Sequence, residues 1–173
     1  RLVNGVYQSC GNELYVRNRL IKRSKWVMSA SLHLDILDRL SESIWYGKAD
    51  NNIEERAGMI NISAVGRSAN KSLRKKYSKW DKGNKERRSI VDTLSSKHPD
   101  MEFSIGGEIS IDIYPKGNDK SQVLSDMSGD CVFFGDRCEV GGNDFTIAIM
   151  SDYSYNVKGW KQTKRYLLEN IRL

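Results

Sequence analysis

The sequence predicts an α/β fold in two lobes: a strand-rich lobe in the middle of the chain, then the later part of a parallel, Rossmann-like sheet. Three observations lead there. Short segments of period-two alternation, such as Met59–Val65, take turns with stretches of helical spacing. Late in the chain, two apolar strands are each followed by a charged loop, one carrying Lys120 and the other Asp136. From Cys131 onward the order reads strand, helix, strand, helix.

The elements follow in order. Tyr7 to Ile21 reads as short strands around turns, with Gly11-Asn12 as one turn. Ser29 or Ser31 caps a helix whose apolar positions Leu32, Ile36, Leu37 and Leu40 recur at helical spacing. His33 on that helix has no partner in sequence and reads as a surface or packing residue. Glu54–Arg56 and Met59–Val65 are strands separated by Ala57-Gly58; Ile60, Ile62 and Ala64 share one face, Asn61 and Ser63 the other. Helices are expected from about Asn70 to Trp80 and from Lys85 to Leu94, then strands at Glu102–Ile105 and Glu108–Tyr114. A helix from Asp119, a strand at Cys131–Phe134, a helix after Asn143 and a strand at Tyr153–Val157 come next. The last helix, about Lys161–Ile171, offers Tyr166, Leu167 and Ile171 to the core.

Composition narrows the function classes. With 39% hydrophobic and 29% charged residues the chain is neither disordered nor fibrous. No apolar run approaches the roughly 18 residues of a membrane span. Arg1-Leu2-Val3-Asn4-Gly5 has no apolar signal-peptide region and no initiator Met, so a fragment or processed chain is expected, located in the cytoplasm. Cys10, Cys131 and Cys138 are too few and too irregular for a disulfide framework, and none has Cys-x-x-Cys spacing for zinc. The net charge of +6 is concentrated between Lys71 and Arg88, where only Asp81 and Glu86 oppose the cations. Without a nucleic-acid motif that run reads as a solvated helical face, although a pocket for a small anion would draw on the same residues.

The chemistry gathers in two stretches. In Phe133-Phe134-Gly135-Asp136-Arg137-Cys138-Glu139-Val140-Gly141-Gly142-Asn143-Asp144, an apolar strand delivers carboxylates on a glycine-bearing loop. Such an arrangement suits a hard cation such as Mg2+, which takes oxygen ligands. Upstream, Gly106-Gly107-Glu108-Ile109-Ser110-Ile111-Asp112-Ile113-Tyr114-Pro115 leads to Lys120. Lysine and carboxylates in this order resemble the last two motifs of the haloacid dehalogenase superfamily of phosphoryl-transfer enzymes. The segment Arg56-Ala57-Gly58-Met59-Ile60-Asn61-Ile62-Ser63-Ala64-Val65-Gly66-Arg67-Ser68 is more specific. It is similar to the cap-domain signature of phosphomannomutases of that superfamily, and the similarity runs on through Arg74 and Asp81-Lys82 to the acidic loop.

The resemblance implies a haloacid dehalogenase-like core, its N-terminal part missing, with an inserted α/β cap: residues 1–23 core, 24–111 cap, 112–173 core. It implies that Arg56, Arg67 and Arg74 hold the remote phosphate of a phosphorylated hexose, with Asn61, Ser110 and Asp112 lining the substrate site. Guanidinium forks suit phosphate because their charge-assisted hydrogen bonds are often bidentate. Lys120 would neutralise charge at the reaction centre; Asp136 would ligate Mg2+, with Asn143 and Asp144 beside it. The implied reaction interconverts mannose 6-phosphate and mannose 1-phosphate through an aspartyl-phosphate, and a homodimer through the cap is expected. A sugar-phosphate phosphatase, or a non-enzymatic module binding anions or nucleic acid, is the alternative.

Two departures qualify the resemblance. The superfamily's nucleophile motif, Asp-x-Asp-Gly-Thr, does not occur in these residues; Asp35-Ile36-Leu37-Asp38 has the wrong spacing and lies on an expected helix. The chain as it stands is therefore expected not to turn over substrate, with Val3-Asn4-Gly5 entering the fold after that motif. Phe145-Thr146 also replaces the polar pair usual after the acidic loop, which puts a second cation site there in doubt.

Overall fold

Turn chemistry sets the first sheet. β1 (Gly5–Gln8), β2 (Glu13–Val16) and β3 (Arg19–Arg23) form an antiparallel meander. Arg17 and Asn18, at φ 50° and 63°, close its second hairpin; a two-residue loop of positive φ matches the twist of the strands it joins. The first turn is a short 3-10 segment, Ser9–Gly11, to which Asn12 adds a side-chain bond from Nδ2 to the Ser9 carbonyl at 2.8 Å. The computed structural model describes residues 4–170, so Val3 of the Val3-Asn4-Gly5 segment and Ile171 of the last helix lie outside it.

α1 (Ala30–Ser41) starts at Ser29, whose hydroxyl accepts from the Leu32 N–H at 3.2 Å. Leu32, Ile36 and Leu40 are buried, whereas Leu37 is 46% exposed. One residue turns the helix by about 100°, which carries position 37 off the buried row. His33 is exposed, as expected.

The main sheet is antiparallel, in the order β4 (Ile53–Arg56), β5 (Met59–Ile62), β7 (Ser110–Pro115), β6 (Met101–Gly106). β5 ends before Ser63, earlier than its alternation suggests. Gly66, at φ +90°, folds the chain so close to the Ala49 carbonyl that a Cβ would lie 2.2 Å from its oxygen. α2 (Lys71–Asn84) is capped by Asn70, and α3 (Glu86–Lys97) follows after Lys85 alone, in the left-handed region at φ 53°. The core joins Leu32 and Ile36 of α1, Ile60 and Ile62 of β5, Tyr77, Leu94, Ile111 and Ile113. All of β7 pairs with β6, and residues 111–113 pair with β5 as well, so a boundary at 111/112 would fall inside a hydrogen-bonded strand; the chain instead divides between Asn118 and Asp119.

The second unit starts with the helix expected from Asp119, which is of the 3-10 kind and spans Lys120–Asp126. Asp119 tightens this turn by accepting from both the N–H and the hydroxyl of Ser121. β8 (Val132–Gly135) and β9 (Tyr153–Asn156) are parallel, joined through α4 (Phe145–Met150), as a βαβ crossover requires. α5 (Trp160–Asn170) sets Tyr166 against Tyr155, whose ring stacks on Phe134 at 5.2 Å.

Candidate functional site

In the first unit, the cross-strand register assembles a cluster of charged side chains. Glu54 and Arg56 lie two apart on β4 and therefore share a face. Arg56 donates from Nε to Glu54 Oε1 and from Nη2 to Oε2, both at 3.0 Å. Arg67, in the loop before α2, donates from Nε to the same Oε2 at 2.8 Å and from Nη1 to Ser110 Oγ at 2.8 Å. Arg74 donates from Nε to the Ala69 carbonyl and from Nη2 to that of Arg67, at 2.7 and 2.5 Å, latching the loop that carries Arg67. The Arg56 bond and then burial, which acts against it, leave the Glu54 carboxyl below its usual range, so it is ionised at neutral pH.

These bonds leave specific donors over. Among the described residues, Arg56 Nη1, Arg67 Nη2 and Arg74 Nη1 have no hydrogen-bond partner. Asn61 is paired across the sheet with Asp112 and donates to its carboxylate. Asn61 and Ser63 are 3% and 1% exposed, so the polar face they share, with Asn61 expected in the substrate site, is covered in this conformation. Gly106 lets Asp112 approach: a Cβ there would stand 2.9 Å from Asp112 Oδ2.

Apart from Arg74, the basic run divides into two populations. Lys71, Lys75, Lys76, Lys79, Lys82, Lys85 and Arg88 are exposed, as a solvated face should be. Arg87 is buried instead, with Nε 2.7 Å from Asp81 Oδ2 and Nη1 donating to the carbonyls of Gly106, Gly107 and Ser110. It ties the β6–β7 turn, and with it Ser110, to the start of α3.

In the second unit, Lys120 and the acidic loop meet. Asp144, at the start of α4 and 4% exposed, accepts from Lys120 Nζ at Oδ1. Its Oδ2 accepts from the backbone N–H groups of Asp136 and Arg137 at 3.1 and 3.2 Å. Burial pushes the Asp144 carboxyl up, but the Lys120 bond and charge with the two N–H groups outweigh it and hold it below the usual range. Gly135 permits this approach, since a Cβ there would lie 2.8 Å from Asp144 Oδ2. Burial, with the Asp144 charge beside it, pushes the Cys138 thiol up.

The donor set fits Mg2+ at two positions. The Asp136 side chain is exposed and accepts no hydrogen bond among the described residues, and Asn143 Oδ1 is buried without a partner. A carboxylate and an amide oxygen of this kind suit an ion that binds few protein oxygens and keeps several waters. Asp144 already has both oxygens in use. Among the described residues, no three of His, Cys, Asp and Glu converge as a metal cluster.

Sequence reasoning passed over Glu54 and Arg87. Glu54 left one signal, its spacing of two from Arg56 on a strand. Arg87 left none, because a basic residue among nine gives no sign of facing inward.

The fold is that of a haloacid dehalogenase-like α/β chain. The N-terminally truncated, IMP-bound IMP-nucleotidase of Plasmodium falciparum has a similar fold, with a TM-score of 0.58 at 15% identity over 95% of this chain and 47% of that one. The family model described as eukaryotic phosphomannomutase matches residues 4–172, and the chain belongs to that family. It is 46% identical over 103 residues to the phosphomannomutase of Schizosaccharomyces pombe, covering 56% of this chain and 40% of that protein. The Saccharomyces cerevisiae phosphomannomutase is 39% identical over 120 residues, 66% of this chain and 47% of its own length. Phosphomannomutase 1 of Dictyostelium discoideum is 38% identical over 125 residues, 68% of this chain and 50% of its own length. The chain spans about half the length of the curated relatives it matches.

Proposed function

We propose that this chain supplies the phosphate grip and the lysine–carboxylate centre of a phosphomannomutase-type phosphotransfer, which interconverts mannose 6-phosphate and mannose 1-phosphate. The observation that carries the reading is the set of unpaired Nη groups on Arg56, Arg67 and Arg74, in a unit separate from Lys120 and Asp144. A mutase holds a bisphosphorylated intermediate and needs an anion site at each end; a phosphatase needs one.

In this reading the cap is the sheet-and-helix part of the first unit, with residues 1–23 belonging to the core. Arg56 and Arg67 orient the remote phosphate, Ser110 fixes Arg67, and Arg74 holds the loop from which Arg67 projects while offering Nη1. Asn61 and Asp112 complete the sugar site as a hydrogen-bonded pair. Lys120, held by Asp144, places positive charge where an aspartyl-phosphate would form and be discharged to a sugar hydroxyl. Asp136 and Asn143 would hold Mg2+, which supplies charge stabilisation to the transferring phosphoryl group. The nucleophilic carboxylate is not among residues 1–173, which contain no Asp-x-Asp-Gly-Thr.

The cytoplasm is the proposed compartment, in keeping with three free cysteines and with the absence, among the described residues, of any helix long and apolar enough to cross a membrane. The homodimer belongs to the same proposal; Ile44 and Tyr46, 76% and 90% exposed after α1, are apolar surface for it.

Calorimetry of the 173-residue chain tests the grip. Mannose 6-phosphate is expected to bind and mannose not, with Arg67→Ala weakening the former by about 1.5–3 kcal/mol, the scale of hydrogen bonds to charged groups. Binding of mannose 6-phosphate that Arg67→Ala leaves unchanged, or binding of mannose as tight as that of its phosphate, would refute the role. No phosphate release or hexose-phosphate isomerisation is expected from this chain with Mg2+; turnover that survives Asp136→Ala would place the chemistry elsewhere.

A further inference from the structure

Exposure is what a solvated helix face and a docking face have in common; the placement of charge tells them apart. On α2, Tyr77 is buried, and Leu73 and Trp80 pack against the core. Lys71, Lys75, Lys79 and Lys82 lie on the opposite side. At about 100° and about 1.5 Å per residue they fall within about 80° of one another, in a straight row about 16.5 Å long. All four are exposed, and none forms a hydrogen bond or ion pair among the described residues. The same face adds Ser72, Lys76 and Gly83, and no acid. Asp81, the one acid of α2, is turned inward to Arg87. A face that meets only water is favoured by both signs, because opposite charges four apart stabilise a helix and like charges destabilise it. Here Lys71 faces Lys75, and Lys75 faces Lys79. Lys71 also sits in the first turn, which has no acid, against the positive end of the helix dipole. Two adverse choices in one element, without a counter-charge among the described residues, mark a site for an outside polyanion.

The rest of the face decides which polyanion. A helix that binds a lipid surface adds apolar side chains that enter the bilayer, and a site for single strands adds aromatic rings on which bases stack. Ser72 and Gly83 supply neither. Lysines in a row supply point charges for phosphates, the sequence-independent part of duplex recognition. We propose that the lysine row of α2 binds the phosphate backbone of a nucleic-acid duplex without regard to base sequence. The proposal is independent of the arginine cluster and of the sugar-phosphate reading.

Fluorescence anisotropy of a labelled DNA duplex with the 173-residue chain tests it. With four phosphates neutralised, the logarithm of the affinity falls by about 3.6 per decade of salt, so raising salt about fourfold weakens binding about 150-fold. Lys75→Gln/Lys79→Gln removes two of the contacts; it should bind less tightly at low salt and lose only about 12-fold over the same range. Lys158→Gln/Lys164→Gln changes the net charge equally, at exposed positions of the second unit, and should stay close to the parent chain. Glutamine is about as good a helix former as lysine, so easing the repulsion along α2 should raise the urea midpoint of Lys75→Gln/Lys79→Gln at low salt.

A parent chain that leaves the duplex free at low salt overturns the proposal. So does a row variant with the parent's salt dependence, or an equal loss in the two double variants, which would reduce the effect to net charge. Tighter binding to phosphatidylserine vesicles than to the duplex, at equal anion concentration, overturns it by assigning the row to a membrane surface. A urea midpoint that falls in Lys75→Gln/Lys79→Gln overturns it as well, because the row would then place no strain on the helix.

Discussion

Asp81 joins two helices, and its loss should be felt well beyond its own position. Its Oδ2 accepts from Arg87 Nε at 2.7 Å and its Oδ1 from the Arg87 backbone N–H at 2.9 Å. That N–H belongs to the first turn of α3, whose N-cap residue, Lys85, makes no side-chain cap bond. A carboxylate from the end of α2 therefore caps α3 and meets the positive end of its dipole. Asp81→Asn keeps an acceptor for the cap but leaves the Arg87 guanidinium, only 9% exposed, without a counter-charge. Removing one partner of a buried pair costs about 3–5 kcal/mol; the retained acceptor argues for the lower end, about 3 kcal/mol. Asp81→Ala also loses the cap, a further ~1 kcal/mol. Against a total stability of about 5–15 kcal/mol this is a large share.

Urea unfolding followed by circular dichroism measures these losses. Asp81→Asn/Arg87→Met should recover about half of the Asp81→Asn loss, since apolar replacements of buried pairs are often neutral. Recovery stays partial because the carbonyls of Gly106, Gly107 and Ser110 lose their donor. A cost below about 1 kcal/mol for Asp81→Asn, the range of an exposed ion pair, or a double variant no better than the single one, would refute this reasoning.

Three further outcomes are expected. Gly58→Ala should lower stability by at least about 1–3 kcal/mol, the scale of a strained backbone position. Gly58 is at φ +66°, and the added Cβ would lie 2.3 Å from Asn12 Oδ1; an unfolding midpoint unchanged in urea would contradict this. For Asp144 the folded carboxyl lies below its ordinary value of 3.8, so the unfolded chain takes up the proton first as pH falls. Its stabilisation is therefore full above that value and lost as pH drops through the lower, folded one; Asp144→Asn should flatten that acid limb in unfolding curves recorded at successive pH values. Mg2+ should raise the thermal midpoint of the chain and not that of Asp136→Ala, and an equal rise in both would remove Asp136 from the ion's ligands.

Local signals were readable in the sequence where local chemistry decides the outcome. Ser29 caps α1 as its spacing predicts, the alternation of Met59–Ile62 is a strand, and the acidic loop follows an apolar strand and meets Lys120. What escaped was set by contacts between distant segments. The alternation of Asn61 and Ser63 with apolar neighbours suggests an open polar face, but the folded chain buries both sides of β5. Lys120–Asp126 is a 3-10 helix because Asp119 draws Ser121 inward, a competition between side chain and backbone that helical periodicity does not register. The chain divides after Asn118 and not at 111/112 because β7 pairs along its whole length, and strand pairing is not visible in one strand's sequence. In the candidate site, the arginines were legible as residue types, while the carboxylate that spaces them was not.

The aromatic packing gives each unit a distinct optical identity. In the first unit the ring of Trp45 lies 5.2 Å from that of Trp80 and 5.5 Å from Tyr77. Indoles this close share their excited states, so their transitions split and give a paired circular-dichroism signal that vanishes once the rings separate. The second unit has a stack without tryptophan, Phe134, Tyr155 and Tyr166, while its indole, Trp160, is 71% exposed. Its unfolding therefore alters tyrosine absorbance and leaves the indole couplet intact. The chain carries two colours of its own, and without an added label they report whether its halves melt as one body or in succession.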